Sequence, residues 1–454
     1  MNVKKRLRQI AISCLICLLA ISAVGQLPKQ VHAESVNSNA LNVKAKSAIL
    51  VDANTGQVLY SKNADVMLPP ASMTKVMTEY LVMKAIHSGK ISWNTKVNID
   101  NKVYAISQNR EFSNVPLRKD YQYTVKDLYY PMAIYSADAA AVALAETMGH
   151  GDEKNFVDMM NKEAKKLGMN HTKYINASGL DNVDLGKNRA YGGPNDSDLV
   201  TARDLAKLTY HLVKEYPEIL KIASIPQRNF TAGVNKPIKM VNWDWMLPGL
   251  GQNMAKFTYP GLDGLKTGHT DLAGYCFIGT AKRNGHRLIS VVMGTNSETA
   301  RFTETKKLLN YGFDQFNLKT LVKKGQTIKG HQTLPVSKGK DKEVKIAAGE
   351  PLKLAVKNGE DNNYKVSVHL DKSKLNSDGK LEAPVKKGQQ VGYLTVSYKG
   401  QQGNDFLYKN GAKIPVVTAE ADDKANWFVL SMRSVGHFIS GIFSSAFGLV
   451  KGLF

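Results

Sequence analysis

The pattern of apolar residues changes near Phe316, and that change limits the chain to an architecture of at least two parts. Before it, apolar stretches of helical length stand between strand-like runs. After it, from Leu318 to about Thr418, no helix-length period occurs. A chain of 454 residues also exceeds what one core ordinarily serves, since about 150 residues per domain is typical.

In the first part, Ala48–Asp52 and Gln57–Ser61 read as short strands. Ala53-Asn54-Thr55-Gly56 between them supplies Asn and Gly where a hairpin turn needs them. Pro69-Pro70 ends the extended chain, and Ser72–Ile86 follows as an apolar helix buried on all sides. Lys126–Met148 reads as a second helix, its alanine-rich run Ala137–Ala145 suited to close packing, and Leu199–Lys214 as a third. Leu288–Thr295 is an apolar strand, with a helix around Glu298–Tyr311 behind it. Strands at both ends with helices clustered between them predict an α+β domain over residues 34–317. In the second part, 318–420, lysines recur with turn residues. Val344–Ala348, Lys353–Val356, Tyr364–Leu370 and Val391–Ser397 alternate as strands do. They predict a small all-β domain, with sandwich and barrel equally open.

The two ends bear on location. Lys4, Lys5, Arg6 and Arg8 precede an uncharged stretch, Ile10–Val24, and Val31-His32-Ala33 offers small residues to a signal peptidase. Residues 1–33 therefore read as a secretory signal, and the mature chain as exported. Cleavage removes those four cations and Lys29 but no acid, so the formal charge of +22 becomes +17. Cys14 and Cys17 leave as well, and Cys276 remains as a lone, buried small hydrophobe. At the other end, residues 424–454 form a separate unit. Phe428, Met432, Val435, Ile439, Ile442, Ala446, Val450 and Leu453 recur every three or four residues, with Arg433 and Lys451 on the other face. His437, serines and glycines make the stretch too polar to span a bilayer, so Trp427–Phe454 reads as an amphipathic helix lying in the membrane interface. The positive charge suits anionic lipid or wall polymer; export and the lack of a recognition motif argue against nucleic acid.

Ser72-Met73-Thr74-Lys75 sets a hydroxyl and an amine three residues apart, hence on one helix face. The helix dipole favours a developing oxyanion at Ser72, and burial beside Met73, Val76 and Met77 would depress Lys75 until it serves as a base. Alone the pattern is weak. It recurs at Ser337–Lys340 and Ser377–Lys380, and Ser72 also suits an ordinary N-cap after Pro-Pro. Two further groups alter the balance: Ser136-Ala137-Asp138 at the start of the alanine-rich run, and Lys266-Thr267-Gly268. A glycine there lets a ligand backbone approach a strand edge, and Lys266 and Thr267 suit an anionic carboxylate. The three groups in this order make up the set of penicillin-binding proteins and serine β-lactamases.

With these residues the sequence resembles serine-type D-alanyl-D-alanine carboxypeptidases of the low-molecular-weight penicillin-binding protein family. Ser47–Gly56, Pro70–Lys75, Asn176-Ala177-Ser178-Gly179-Leu180-Asp181, Thr201-Ala202-Arg203-Asp204-Leu205 and Pro260–Thr270 are all similar to it. The resemblance implies a transpeptidase-like catalytic domain and removal of the last D-alanine from peptidoglycan stem pentapeptides without a cofactor. Ser72 would be the nucleophile, Lys75 the base and Ser136 a proton relay. The N–H groups of Ser72 and His269 would form the oxyanion hole, and Asp138, Lys266, Thr267, Gly268, His269 and Arg301 would bind substrate. β-Lactams would acylate Ser72. It also implies an enzyme on the outer face of the cytoplasmic membrane. One departure stands out: the family carries Asn where this chain has Asp138, and a carboxylate accepts where an amide can donate. A β-lactamase is disfavoured because no Leu-Asn pair lies between Ala137 and Leu265. A scaffold that has lost activity finds support only in Asp138. No metal site is indicated.

Overall fold

The computed structural model describes residues 41–399, 405–408 and 411–432. The expected signal at 1–33 lies outside them, as does residue 433 onward of the expected C-terminal helix.

The strands β1 (Ser47–Asp52) and β2 (Val58–Lys62) form the predicted hairpin. Asp52 Oδ1 fixes its turn by accepting from the amide of Thr55 at 2.8 Å and from its hydroxyl at 2.6 Å. The helix α1 (Lys75–His87) follows a single 3-10 turn, Ala71–Thr74. Ser72 therefore stands just before the α-helix rather than in its first turn. α1 passes through the middle of the helical cluster, and Val76, Met77 and Val82 are wholly enclosed, as its mostly apolar sequence demands.

Lys126–Met148 is not one helix. It divides into α2 (Val125–Tyr135) and α3 (Asp138–Met148) at Ser136, whose φ of 60° puts it in the left-handed region. The break is held from outside: Ser113 O accepts from Asp138 N at 2.8 Å and Asn114 Oδ1 from Ala139 N at 2.9 Å. These acceptors satisfy amides at the start of α3 that an unbroken helix would have satisfied internally. The third helix, α4 (Ala202–Glu215), begins later than Leu199. Leu199 and Val200 are drawn into bridges with Lys173 and Leu68, and Thr201 caps the helix by accepting from Asp204 N at 3.0 Å.

The strands β3 (Leu262–Thr270), β4 (Gly274–Arg283) and β5 (His286–Thr295) complete an antiparallel sheet in the order β2-β1-β5-β4-β3. Helix α5 (Glu298–Gln315) packs behind it. β1 is apolar at successive positions because both faces are covered. Ile49 and Val51 meet the helical cluster, while Ala48 and Leu50 meet Leu308 and Leu309 of α5. The result is an α+β domain with β3 at one edge of its sheet. Cys276 is buried within β4 and forms no disulfide.

The second unit begins as α5 ends. β6 (Phe316–Val322) pairs with Leu352–Lys357, and six further strands form a second sheet. Both sheets share one core that includes Val322, Ile346, Leu354, Leu394 and Val416, so a sandwich-like pairing is found rather than a closed barrel. Tyr364–Leu370 is a strand at its predicted bounds. The two units touch again far along the chain. Asp405 O accepts from Val58 N and Gly56 O from Leu407 N, both at 2.8 Å. Arg203 bridges Asp65 at 2.7 Å and Asp405 at 3.0 Å. Tyr408 donates to Leu167 O at 3.1 Å and stands 2.7 Å from His211 Nε2. Leu407 enters the core of the first unit.

Candidate active site

The 3-10 turn carrying Ser72, the α2–α3 break carrying Ser136 and the edge strand β3 meet around a cavity of about 320 Å³. Their contact is close. A side chain on Gly268 would stand 2.6 Å from Pro70 O, and one on Gly179 would stand 2.0 Å from Ala71 O. Glycine at both places lets β3 and the loop after Asn176 close directly on the nucleophile turn.

Lys75 is enclosed, and its Nζ has three neighbours: Ser72 Oγ at 2.8 Å, Asp138 Oδ1 at 2.6 Å and Ser178 O at 2.7 Å. An ammonium fills all three bonds as donor. A neutral amine can still donate to the carboxylate and the carbonyl, which leaves its lone pair aimed at the one neighbour with a proton to give, Ser72. Burial draws Lys75 below the usual lysine range, against the opposing pull of Asp138. Burial likewise raises Asp138, against Lys75 and then Lys266. Asp138 thus faces a lysine, and its position in the Ser136-Ala137-Asp138 group brings it into the cavity wall.

Lys266 stands beside Ser136. Its Nζ donates to Ser136 Oγ at 2.8 Å and it is buried behind the cavity, while Thr267, Gly268 and His269 form the wall itself. Burial and the nearby Lys75 charge bring Lys266 down to about 7. The remaining cation at the cavity is Arg301, from the first turn of α5. Its Nη2 meets Glu298 at 3.0 Å, Nη1 donates to Gly268 O at 3.4 Å, and Nε has no partner in the fold. His269 stacks on Tyr275 with centroids 4.0 Å apart, and burial and then Arg301 hold its imidazole below the ordinary range.

Several contributors escaped the sequence reading. Ser178 supplies a carbonyl to Lys75, although its Asn176–Asp181 segment was marked by resemblance. Asp198 ties that segment to the nucleophile turn. Its Oδ2 accepts from Thr74 Oγ1 at 2.5 Å and its Oδ1 from Ile175 N at 2.6 Å. Glu79, on the same face of α1 as Lys75, is buried and raised to about 7 by that burial; its i,i+4 spacing from Lys75 was the available signal. Trp243 lines the cavity, donating to Tyr135 O at 3.2 Å and stacking on the Tyr135 ring. Nothing local in the sequence marked it.

Comparison with known proteins agrees with this geometry. A family model described as D-alanyl-D-alanine carboxypeptidase matches residues 32–297, and one described as penicillin-binding protein 5, C-terminal domain, matches 316–424. The chain is 33% identical over 393 residues to D-alanyl-D-alanine carboxypeptidase DacF of Bacillus subtilis, covering 87% of this chain and 90% of the relative. To D-alanyl-D-alanine carboxypeptidase DacC of Escherichia coli it is 34% identical over 362 residues, 79% and 82% of the two chains. Among solved structures, a peptidoglycan synthesis regulatory factor (PBP3) from Streptococcus pneumoniae superposes with a TM-score of 0.71 at 32% identity, covering 84% of this chain and all of that one.

Proposed function

The chain belongs to the D-alanyl-D-alanine carboxypeptidase family of serine hydrolases, and on that premise we propose which of its residues carry the reaction. Ser72 Oγ attacks the carbonyl carbon of the peptide bond between the two terminal D-alanines of a stem pentapeptide. Lys75, as the neutral amine, takes the hydroxyl proton. Negative charge develops on the carbonyl oxygen, toward the N–H groups of Ser72 and His269. Ser136 passes a proton to the departing nitrogen and receives in its place the proton that Lys75 took from Ser72, which leaves Lys75 neutral again. The C–N bond breaks, D-alanine leaves, and the acyl group stays on Ser72 as an ester. Water then attacks that ester, giving a proton to Lys75, which returns it to Ser72 Oγ as the acyl–oxygen bond breaks and the shortened peptide is freed.

The observation that carries this reading is the set of three neighbours around Lys75, of which only Ser72 can give a proton. Thr267 and Arg301 receive the terminal carboxylate, and the unpartnered Nε of Arg301 leaves a donor for it. Lys266 acts through Ser136 and by its charge rather than by direct contact. A β-lactam places its own carbonyl and carboxylate on the same groups and acylates Ser72.

The export signal at 1–33, the domain limits 34–317 and 318–420, and the interfacial helix at 424–454 belong to the same reading: an exported enzyme held peripherally at the outer face of the membrane. The exposed Trp427, Phe428 and Met432 support the last part. Among the described residues no helix is long and apolar enough to cross a membrane. Mass spectrometry after exposure to penicillin tests the chemistry. An adduct on Ser72, absent from Ser72→Ala, together with D-alanine release from an acyl-D-Ala-D-Ala peptide, is the expected result. A folded protein that gives neither would establish the scaffold alternative.

A further inference from the structure

Lys266 is a buried cation with no counter-ion in contact. It is 3% exposed, and both hydrogen bonds of its Nζ go to neutral oxygens, Ser136 Oγ at 2.8 Å and Thr267 O at 3.2 Å. Among the described residues it forms no ion pair. Lys75, the other lysine of the site, differs, since it meets Asp138 at 2.6 Å. An ammonium taken out of water with no compensating charge is costly and tends to give up its proton. The mechanism uses Lys266 as a charge, so some other group has to hold the proton on it.

The mirror case lies one helical turn beyond Lys75. Glu79 is 2% exposed, and among the described residues its carboxyl group forms neither a hydrogen bond nor an ion pair. The i,i+4 spacing puts it on the Lys75 face of α1, with Cβ atoms about 6 Å apart. The two unpaired groups act on each other. Burial lowers Lys266, and Lys75 adds to the fall, while Glu79 and then Asp138 oppose it. Burial raises Glu79, and Lys266 and then Lys75 oppose that rise. Each therefore favours the charged form of the other. The third ionisable neighbour of Glu79 is Tyr129 of α2. It is wholly buried, its hydroxyl has no partner, and burial and then Glu79 keep it a neutral phenol. The other charges that bear on Lys266 are Arg301 and Asp244.

We propose that Glu79 is the counter-ion of Lys266, a positioning residue that keeps Lys266 an ammonium while Lys75 stands neutral. The inference rests on the roles proposed above for the two lysines. The two acids then divide the work. Asp138, bonded to Lys75, governs the base, and Glu79 governs the cation behind Ser136. Distance is part of the arrangement. A carboxylate in contact with Nζ would compete for the protons that Lys266 gives to Ser136 and to Thr267 O, whereas one acting from further off supplies charge and leaves those bonds in place.

The test compares the full chain with Glu79→Gln, following acylation by a chromogenic β-lactam from about pH 5 to about pH 10. The substitution removes a negative charge that favours the ammonium, so Lys266 gives up its proton at lower pH. The falling limb of the profile is expected to move down by about one pH unit, and the rising limb, set by Lys75, by less. Glu79→Asp keeps the charge on an arm one methylene shorter and should move the falling limb part of the way. A purely structural role would lower Tm and scale the rate equally at every pH. A falling limb that stays in place or moves to higher pH overturns the counter-ion role, and so does a native profile with no falling limb, because Lys266 would then need no support. Should Glu79→Gln not fold, Glu79→Asp decides by the same displacement. A native chain that is not acylated at all, with Ser72 unlabelled by penicillin, overturns the carboxypeptidase roles on which the inference rests.

Discussion

Asp138 Oδ1 stands 2.6 Å from Lys75 Nζ, so the residue that departs from the family pattern is bonded to the proposed base. Its carboxylate favours the charged form of Lys75, while burial favours the neutral one. In Asp138→Asn the opposing pull is gone and burial acts alone, which lowers Lys75 further. Because acylation needs the neutral amine, the rising limb of its pH profile moves to lower pH and the rate near neutrality increases. Stopped-flow acylation by a chromogenic β-lactam across the pH range measures this. An unmoved limb, or one displaced upward, would show that Asp138 does not govern Lys75.

Stability should increase on mild acidification. Asp198 and Asp244 are buried and each is raised to about 7 by that burial, whereas in the unfolded chain they titrate near the ordinary value of 3.8. Between those limits the folded state binds more protons than the unfolded one, so the stabilising contribution is complete below the unfolded value and is lost as pH rises through about 7. Tm measured by calorimetry is expected to be higher at about pH 5.5 than at about pH 7.5. Asp244→Asn, which keeps the acceptor for Met246 N, should flatten that dependence. A Tm that rises with pH over this interval would contradict the assignment.

Gly268→Ala should impair acylation more than folding. The added methyl meets Pro70 O at 2.6 Å, and the strain falls on the turn that carries Ser72. Overpacking of this kind costs about 1–3 kcal/mol, a modest fall in Tm. Penicillin labelling is expected to slow by about 100-fold, because a displacement near 1 Å at the reacting atoms costs that much. A variant that labels at the native rate would mean the turn has room to spare.

Deletion of residues 427–454 should move the protein from the membrane fraction to the soluble one while leaving D-alanine release intact. Fractionation of expressing cells, followed by assay, reads both. Retention on membranes after deletion would require another anchor.

Much of the fold and a large part of the site were legible because they follow from local rules. The hairpin announced itself through Asn54 and Gly56, the buried helix through its mostly apolar run, and the second unit through its loss of helical period. Ser72, Lys75 and Ser136 could be named because three short motifs occur together in the family's order, and the structure brings them to one place. The split of Lys126–Met148 was hidden because its cause is remote: Ser113 and Asn114 supply acceptors from a separate loop. The hydrogen bond of Lys266 to Ser136 was hidden for a related reason. Its identity suits an anion, but the strand register turns it onto Ser136. Trp243 reaches the cavity only through tertiary packing, and no local pattern could have marked it.

The contact between residues 405–408 and the first unit has a mechanical outcome. A unit joined by one peptide link can swivel; one joined at Phe316 and again through Asp405, Leu407 and Tyr408 is held against rotation. The catalytic groove then keeps a constant bearing relative to the second unit. Were the proposed interfacial helix to rest on a membrane, that fixed bearing would favour strands passing at one height and in one direction, and selectivity would then depend on where a strand lies as well as on what it is made of.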